Sequence, residues 1–140
     1  MEYREEEYLM LSGIQHFEFC SRQWALIHID GVWSENGRTI EGTLLHKNAH
    51  QGQCSESRKD LIITRGMPVS SRELGIAGTC DVVEFAKDLK NGIALQGKEG
   101  KYKACPVEYK RGSPKENLSD VLQLVAQAMC LEEMLCCRIK

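Results

Sequence analysis

The sequence predicts a single α/β domain in which a central mixed sheet is flanked by helices. Helical periodicity near both ends encloses a middle region where short β-branched runs alternate with glycine-containing turns. The order helix, helix, strands, helix is typical of a mixed α/β domain. A chain of 140 residues is long enough for one domain with its own core.

Two helices are predicted in the N-terminal part. Ser12 and Gln15 have the spacing of a capping box, and an amphipathic helix is expected from there to about Ile29. After a glycine-containing loop, a second helix is predicted over residues 39–50. Residues 51–60 are polar and are expected to form a mobile connection.

The middle of the chain is predicted to form strands, because its apolar runs are rich in β-branched residues. These runs cover residues 61–63, 67–71 and 76–85. The Asn-Gly pair at 91–92 predicts a hairpin between strands at 82–86 and 93–96. A further strand is expected over 102–110.

A final helix follows the break at residues 112–114, with Asn117 or Ser119 as its cap. Its wide apolar stripe comprises Val121, Leu122, Val125, Met129, Leu131 and Met134. Asp120, Gln123 and Gln127 share another face. Two interpretations of this face stay open: a solvated surface, or a polar cleft in which Gln123 binds a catalytic group or a DNA phosphate.

Composition and charge limit the classes of function. The net charge of −2 and a pI near 6.1 predict no basic surface, so any DNA contact requires a local cleft. No apolar stretch is long enough to cross a bilayer, and the acidic N-terminus lacks a signal-peptide pattern. A cytoplasmic protein without a membrane partner is therefore expected.

The chain has seven cysteines, an odd number, and no Cys-x-x-Cys pair. Neither a disulfide framework nor a zinc ribbon is expected, and most thiols should be small buried hydrophobes. Cys20 alone cannot hold an iron–sulfur cluster, which needs four ligands. The spacing of Cys130, Cys136 and Cys137 does not suit them as the other three.

Residues 106–110, Pro-Val-Glu-Tyr-Lys, carry the most informative chemistry. Glu108 and Lys110 point to one side of an extended strand, and Asp81 can reach them from a neighbouring strand. Carboxylates of this kind suit Mg²⁺ or Mn²⁺, and the chemistry that follows is phosphodiester hydrolysis. The alternative interpretation is a solvated ion pair on a strand surface.

His46 lies on the second predicted helix, with His50 one turn later. A lone helical histidine is more often structural or exposed, but a neutral imidazole can also bind a metal ion. The pattern alone leaves both interpretations open.

Taken together, these segments resemble the RecB-like nuclease of CRISPR adaptation, the fourth CRISPR-associated protein, in the PD-(D/E)xK superfamily. The resemblance covers nearly the whole chain. It rests on an N-terminal signature at 12–24, a histidine motif at 41–46, two metal-binding strands at 78–81 and 106–110, and a glutamine-containing helix at 120–133. The signature and the Glu-x-Lys strand are specific in this order, although each is weak alone.

The resemblance implies a restriction-endonuclease-like core and Mg²⁺- or Mn²⁺-dependent DNA exonuclease or endonuclease activity. Its implied use is the trimming and selection of spacer precursors, with DNA, the CRISPR integrase and its small partner protein as partners. The DNA is expected to be single-stranded or to carry overhangs. Asp81, Glu108, Lys110 and Gln123 carry over as catalytic residues, and His46, Asp81 and Glu108 as metal ligands. Cys20 carries over as the first ligand of a 4Fe–4S cluster.

The chain departs from the family pattern in two places. Related nucleases have a tyrosine four residues after the motif glutamine, where this chain has Gln127. The family's other three cluster cysteines lie beyond the glutamine helix, whereas this sequence ends at Lys140. The expectation is a single RecB-like nuclease domain over 1–140 that lacks the C-terminal iron–sulfur segment, with the cluster absent or incomplete.

Two further hypotheses accompany the nuclease. One is a non-catalytic module that binds or interferes with the CRISPR integrase complex. The other is a repair or restriction nuclease of the same superfamily, which the N-terminal segment around Cys20 speaks against.

Overall fold

A computed structural model describes residues 2–32, 55–109 and 118–139 of the chain. The helix predicted over 39–50, with His46 and His50, lies outside these residues. Lys110, the break at 112–114 and the cap candidate Asn117 also lie outside them.

The described residues form an α/β fold with one sheet and helices packed on it. The strands are β1 (Leu9–Met10), β2 (Ser55–Arg58), β3 (Leu61–Ser71), β4 (Ile76–Lys87), β5 (Ile93–Ala94) and β6 (Lys101–Val107). The helices are a short 3₁₀ helix (Glu5–Glu7), α1 (Ser12–Phe19), α2 (Ser21–His28) and α3 (Ser119–Leu135). The strand order is β2-β3-β4-β6-β5, with antiparallel neighbours, and β1 adds to β4 in parallel. The predicted fold class, an α/β domain with a mixed sheet, is confirmed at this level.

Several predicted strand boundaries are wrong. The runs at 61–63 and 67–71 are parts of the single strand β3, and residues 55–58 of the predicted mobile connection form β2. The predicted hairpin at 91–92 is also wrong, because β5 pairs with β6 and not with β4. The side chain of Asp88 accepts hydrogen bonds from the backbone N–H groups of Lys90 and Asn91, both at 3.0 Å, and so forms a local turn after β4.

The helix predicted from Ser12 to Ile29 is two helices, which meet at Cys20. Cys20 is extended, with φ −163° and ψ 108°, and its thiol accepts a hydrogen bond from the backbone N–H of Gln23 at 3.5 Å. The thiol thus caps α2 in the way a serine hydroxyl caps other helices. The predicted capping box is wrong, because α1 begins at Ser12 itself and has no side-chain cap.

The break at Cys20 lets α2 fold back on α1. The Phe17 and Trp24 rings meet edge-on with centroids 5.6 Å apart, and Nδ1 of His16 lies 3.0 Å from Nε2 of His28. Trp24 stacks on His28 at 5.8 Å. These contacts make α1 and α2 one helical corner beside the sheet.

The core lies between the sheet, α1 and α3. Its buried hydrophobic residues are Leu11, Ile62, Val69, Ile76, Cys80, Val83, Phe85, Tyr102, Ala104, Ala126, Cys130 and Leu131. Leu11 precedes α1 and sits against Gly78 of β4, where a Cβ would lie 2.7 Å from the Cβ of Leu11. Glycine at this position therefore sets how closely α1 approaches the sheet.

The apolar stripe of α3 is not its buried face. Val121 and Val125 are 54% and 47% exposed, and Met129 and Met134 are also exposed. The helix instead buries polar and small residues together with one leucine: Ser119, Gln123, Ala126, Gln127, Cys130 and Leu131. Tertiary contacts with the sheet, and not the hydrophobic periodicity of the helix, therefore decide which face of α3 is buried.

Within the described ranges, no helix is long and apolar enough to span a lipid bilayer.

Candidate active site

Two carboxylates meet where β4 and β6 run side by side. Val82 pairs with Val107, and continuing this antiparallel register by one residue places Asp81 opposite Glu108. Side chains at directly opposite positions point to the same side of a sheet and lie close together. Asp81 is 3% exposed, and its Oδ2 accepts a hydrogen bond from the backbone N–H of Tyr109 at 3.2 Å. The structure thus brings together two of the predicted site residues.

A local irregularity in the sheet accompanies this pair. Cys80 and Asp81 are neighbours on β4 and both are buried, so both faces of the sheet are covered at this point. Gly66 of β3 lies between the residues that pair with Val82 and Cys80, and it has a φ of 61°. Only glycine adopts this backbone conformation readily. A glycine within the β-branched run of β3 was the sequence feature that could have indicated the irregularity.

Two amides of α3 hold Glu108. Nε2 of Gln123 donates to Oε1 of Glu108 at 2.9 Å, and Nε2 of Gln127 donates to Oε2 at 2.7 Å. Gln123 and Gln127 are 7% and 0% exposed, so the interpretation of this helix face as a solvated surface is wrong for both. The two residues are one helical turn apart, and this i, i+4 spacing was visible in the sequence.

Asp120, the third polar residue of this face, contacts a different partner. Its Oδ1 accepts a hydrogen bond from Nε2 of Gln15 in α1 at 2.7 Å. The sequence indicates Gln15 only as part of a cap, and its link to α3 depends on long-range packing. The contact fixes the start of α3 beside α1 and orients the glutamine face toward the sheet.

Buried thiols lie next to the carboxylates. Burial, reinforced by the nearby Glu108, raises the pKa of Cys80 to about 12. Burial and then the charge of Glu133 raise the pKa of Cys130 to about 11. Both thiols are therefore protonated at neutral pH and behave as the small buried hydrophobes that were predicted. The prediction is wrong for Cys20, Cys105 and Cys136, which are exposed.

The donor set at Asp81 and Glu108 fits a hard divalent cation, since both groups are carboxylates from neighbouring strands. Across residues 2–32, 55–109 and 118–139, no group of three or more histidine, cysteine or carboxylate side chains could hold a metal ion. The described part of the site is thus a pair of carboxylates. Of the other residues predicted for it, Gln123 contacts Glu108, whereas His46 and Lys110 lie outside the described residues.

The predicted iron–sulfur ligand does not lie in a comparable cluster. Cys20 is exposed, and its thiol caps α2. Cys130 is fully buried in the core, whereas Cys136 is exposed at the end of α3. The cysteines that the structure describes therefore do not provide the four ligands that a 4Fe–4S cluster needs.

Comparison with known proteins gives one informative similarity. No protein-family model matches the chain. A protein of Geobacter sulfurreducens named CRISPR-associated exonuclease Cas4/endonuclease Cas1 fusion is 31% identical over 124 residues, which cover 82% of this chain. The chain spans only 20% of that protein's length. Over most of its length, the chain is thus similar to one part of a CRISPR-associated nuclease fusion.

Proposed function

We propose that this chain is a RecB-like DNA nuclease domain of CRISPR adaptation, with a PD-(D/E)xK core. The observation that carries the proposal is the position of Asp81 on β4 opposite Glu108, which directly follows β6 and is held by two amides of α3. The similarity to a protein named as an exonuclease and endonuclease fusion supports it. The substrate would be DNA that is single-stranded or carries overhangs, and the product a trimmed spacer precursor.

Each site residue has a distinct role in this proposal. Asp81 and Glu108 would hold Mg²⁺ or Mn²⁺, with His46 as a further ligand. The ion, when bound, supplies an activated water and stabilises charge on the phosphate. Lys110 orients the attacking water or offsets the charge that develops on the phosphate. Gln123 keeps the Glu108 carboxylate in place, as its 2.9 Å hydrogen bond indicates.

The test is degradation of single-stranded DNA by the purified chain with added Mn²⁺. Glu108→Gln and Lys110→Ala should each abolish the activity. Glu108→Gln keeps the size of the side chain, and its remaining oxygen can still accept from Gln123. Its new NH₂ group can donate to Oε1 of Gln127 once that amide turns over, so folding should be retained. Glu84→Gln is the control, because it makes the same change on β4 at a position that pairs with Cys105 of β6, away from Glu108. Full activity in both Glu108→Gln and Lys110→Ala would refute the assignment.

The second candidate function is a non-catalytic module that binds the CRISPR integrase complex. An apolar groove of about 310 Å³ between β1, α1, α2 and α3 favours it, with Met10, Phe17 and Leu122 in its lining. Phe17 and Met10 are more than half exposed. The similar protein's name joins Cas4 to Cas1, which makes an integrase the partner to test.

A pull-down with the integrase and its small partner protein separates the two candidates. Binding without any Mn²⁺-dependent DNA cleavage would favour the interaction module. Cleavage that Glu108→Gln abolishes would favour the nuclease, whether or not the integrase also binds.

A further inference from the structure

Gln127 has an unusual environment for an amide side chain. It is 0% exposed, and its Nε2 donates to Oε2 of Glu108 at 2.7 Å. Its own Oε1 is buried, with no hydrogen-bond partner in the described part of the chain. Buried polar atoms nearly always have a hydrogen-bond partner. The presence of a glutamine at position 127 therefore needs a reason other than complete hydrogen bonding of its amide.

The ionised carboxylate determines which way this amide points. If the oxygen and nitrogen of Gln127 exchanged places, Oε1 would face a carboxylate oxygen of Glu108, and two acceptors would repel each other. The amide therefore keeps its nitrogen on Glu108, and among residues 2–32, 55–109 and 118–139 its oxygen meets no donor. The contact with Glu108 is maintained although the described residues leave this buried acceptor unsatisfied.

Two donors constrain a carboxylate more than one donor does. The terminal torsion of a glutamate side chain is broad, so a single hydrogen bond leaves the carboxylate plane able to rotate. Here Gln123 binds Oε1 and Gln127 binds Oε2 from positions one helical turn apart. One donor on each oxygen fixes both the plane and the direction of the carboxylate.

We infer that Gln127 is a positioning residue for Glu108, which it holds in the orientation needed to bind a divalent cation together with Asp81. The inference rests on the proposed nuclease function, since it assigns Gln127 to the same site. It gives a role to the position where this chain has Gln127 and related nucleases have a tyrosine.

The test uses the full chain and Mn²⁺ alone, with the dissociation constant measured by titration calorimetry. Gln127→Met removes both the donor and the unsatisfied oxygen and keeps a similar volume. Groups that orient metal ligands commonly contribute tenfold or more to metal affinity, so Mn²⁺ should bind about tenfold more weakly. Thermal stability without Mn²⁺ should change little, because the hydrogen bond to Glu108 and the unsatisfied buried acceptor are lost together and their effects oppose each other. Should the methionine variant fail to fold, Gln127→Leu replaces it in the same measurement.

Leu131→Met is the matched control, since Leu131 is fully buried one turn further along α3. In a Glu108→Gln background, Gln127→Met should cause no further loss of Mn²⁺ affinity. Weaker binding in Gln127→Met alone, with Leu131→Met equal to the unmodified chain, supports the inference. Equal Mn²⁺ affinity in Gln127→Met overturns the inference, while DNA cleavage by the same preparations leaves the proposed function standing. Absence of Mn²⁺ binding by the unmodified chain overturns both.

Discussion

Gln15 of α1 and Asp120 of α3 are 105 residues apart in the chain and are joined by a 2.7 Å hydrogen bond. The bond lies at the first turn of α3, whose buried face carries Gln123 and Gln127. Rotation of α3 about its axis would break the bond and also withdraw both amides from Glu108. The contact between the two helices therefore contributes to the geometry of the site as well as to the fold.

A double-mutant cycle measures this contact. Gln15→Ala and Asp120→Ala should each lower the free energy of unfolding, and the double variant should lose less than their sum. The expected coupling is about 1 kcal/mol, because one partner is charged and residues in direct contact couple by this order. Asp120→Ala also removes a negative charge from the N-terminal turn of α3, and the cycle subtracts that separate effect. Additive losses in urea denaturation would contradict the prediction.

Asp81 can be tested with two substitutions that separate charge from structure. Asp81→Asn keeps an oxygen that can accept from the N–H of Tyr109, so its unfolding temperature should stay near that of the unmodified chain. Mn²⁺-dependent DNA cleavage should fall by at least about a hundredfold, since a bound metal supplies several kcal/mol of charge stabilisation. Asp81→Ala should lose the same activity and also be less stable. Cleavage by Asp81→Asn at the original rate would exclude a catalytic role for this carboxylate.

Glu133 should make stability depend on pH in the acid range. A hydrogen bond from the Ser71 hydroxyl, helped by the backbone N–H of Arg72, lowers the pKa of Glu133. A lowered pKa means that the contribution to stability is present above the unfolded-state pKa of about 4.3 and is lost as pH falls through the folded-state pKa. Glu133→Gln should thus melt at a lower temperature than the unmodified chain at pH 7, and the difference should shrink below about pH 4.

The control for this prediction is Glu18→Gln, which changes an exposed carboxylate of α1. Its melting temperature should follow that of the unmodified chain across the same pH range. A difference between Glu133→Gln and the unmodified chain that is constant from pH 7 to the acid range would show that ionisation of Glu133 is not involved.

Five of the six cysteines that the structure describes should fall into reactive and protected classes, and Cys137 is intermediate in exposure. Cys20, Cys105 and Cys136 are exposed, whereas Cys80 and Cys130 are fully buried with raised pKa values. Because the thiolate is the nucleophile, alkylation at pH 8 should label the first group quickly and the second only through unfolding. Peptide mass spectrometry after timed labelling measures both rates. Labelling of Cys80 as fast as Cys136 in the folded chain would contradict the burial described here.

The sequence was sufficient for the fold class and for the general positions of β4, β6 and α3. The β-branched runs of the strands and the helix-forming composition of α3 are local features, and tertiary structure changed only which face of α3 is buried. The break at Cys20 was not predicted, because nothing in the flanking apolar pattern opposes a continuous helix. Partner choice in the sheet was not predicted either, since the pairing of β5 with β6 depends on long-range contacts and not on the turn residues alone.

For the site, the strand pattern around Glu108 and Asp81 predicted two carboxylates within reach of each other. The buried role of Gln127 could not be predicted, because the apolar stripe beside it is the more usual face for a helix to bury. A fully buried glutamine is favourable here because the carboxylate of Glu108 lies opposite it and accepts its hydrogen bond. Which face of the helix is buried depends on tertiary packing, and the periodicity of a single helix carries no information about that packing.

The outermost strands of the described sheet bear on how the protein avoids self-association. β2 at one end of the strand order has four residues and β5 at the other has two, beside interior strands of eleven and twelve residues. β2 also carries Glu56 and Arg58, whose side chains form a 2.9 Å ion pair. Short, charged border strands are poor templates for a second molecule to extend. Each border strand therefore offers a second molecule only a short run of backbone groups to pair with.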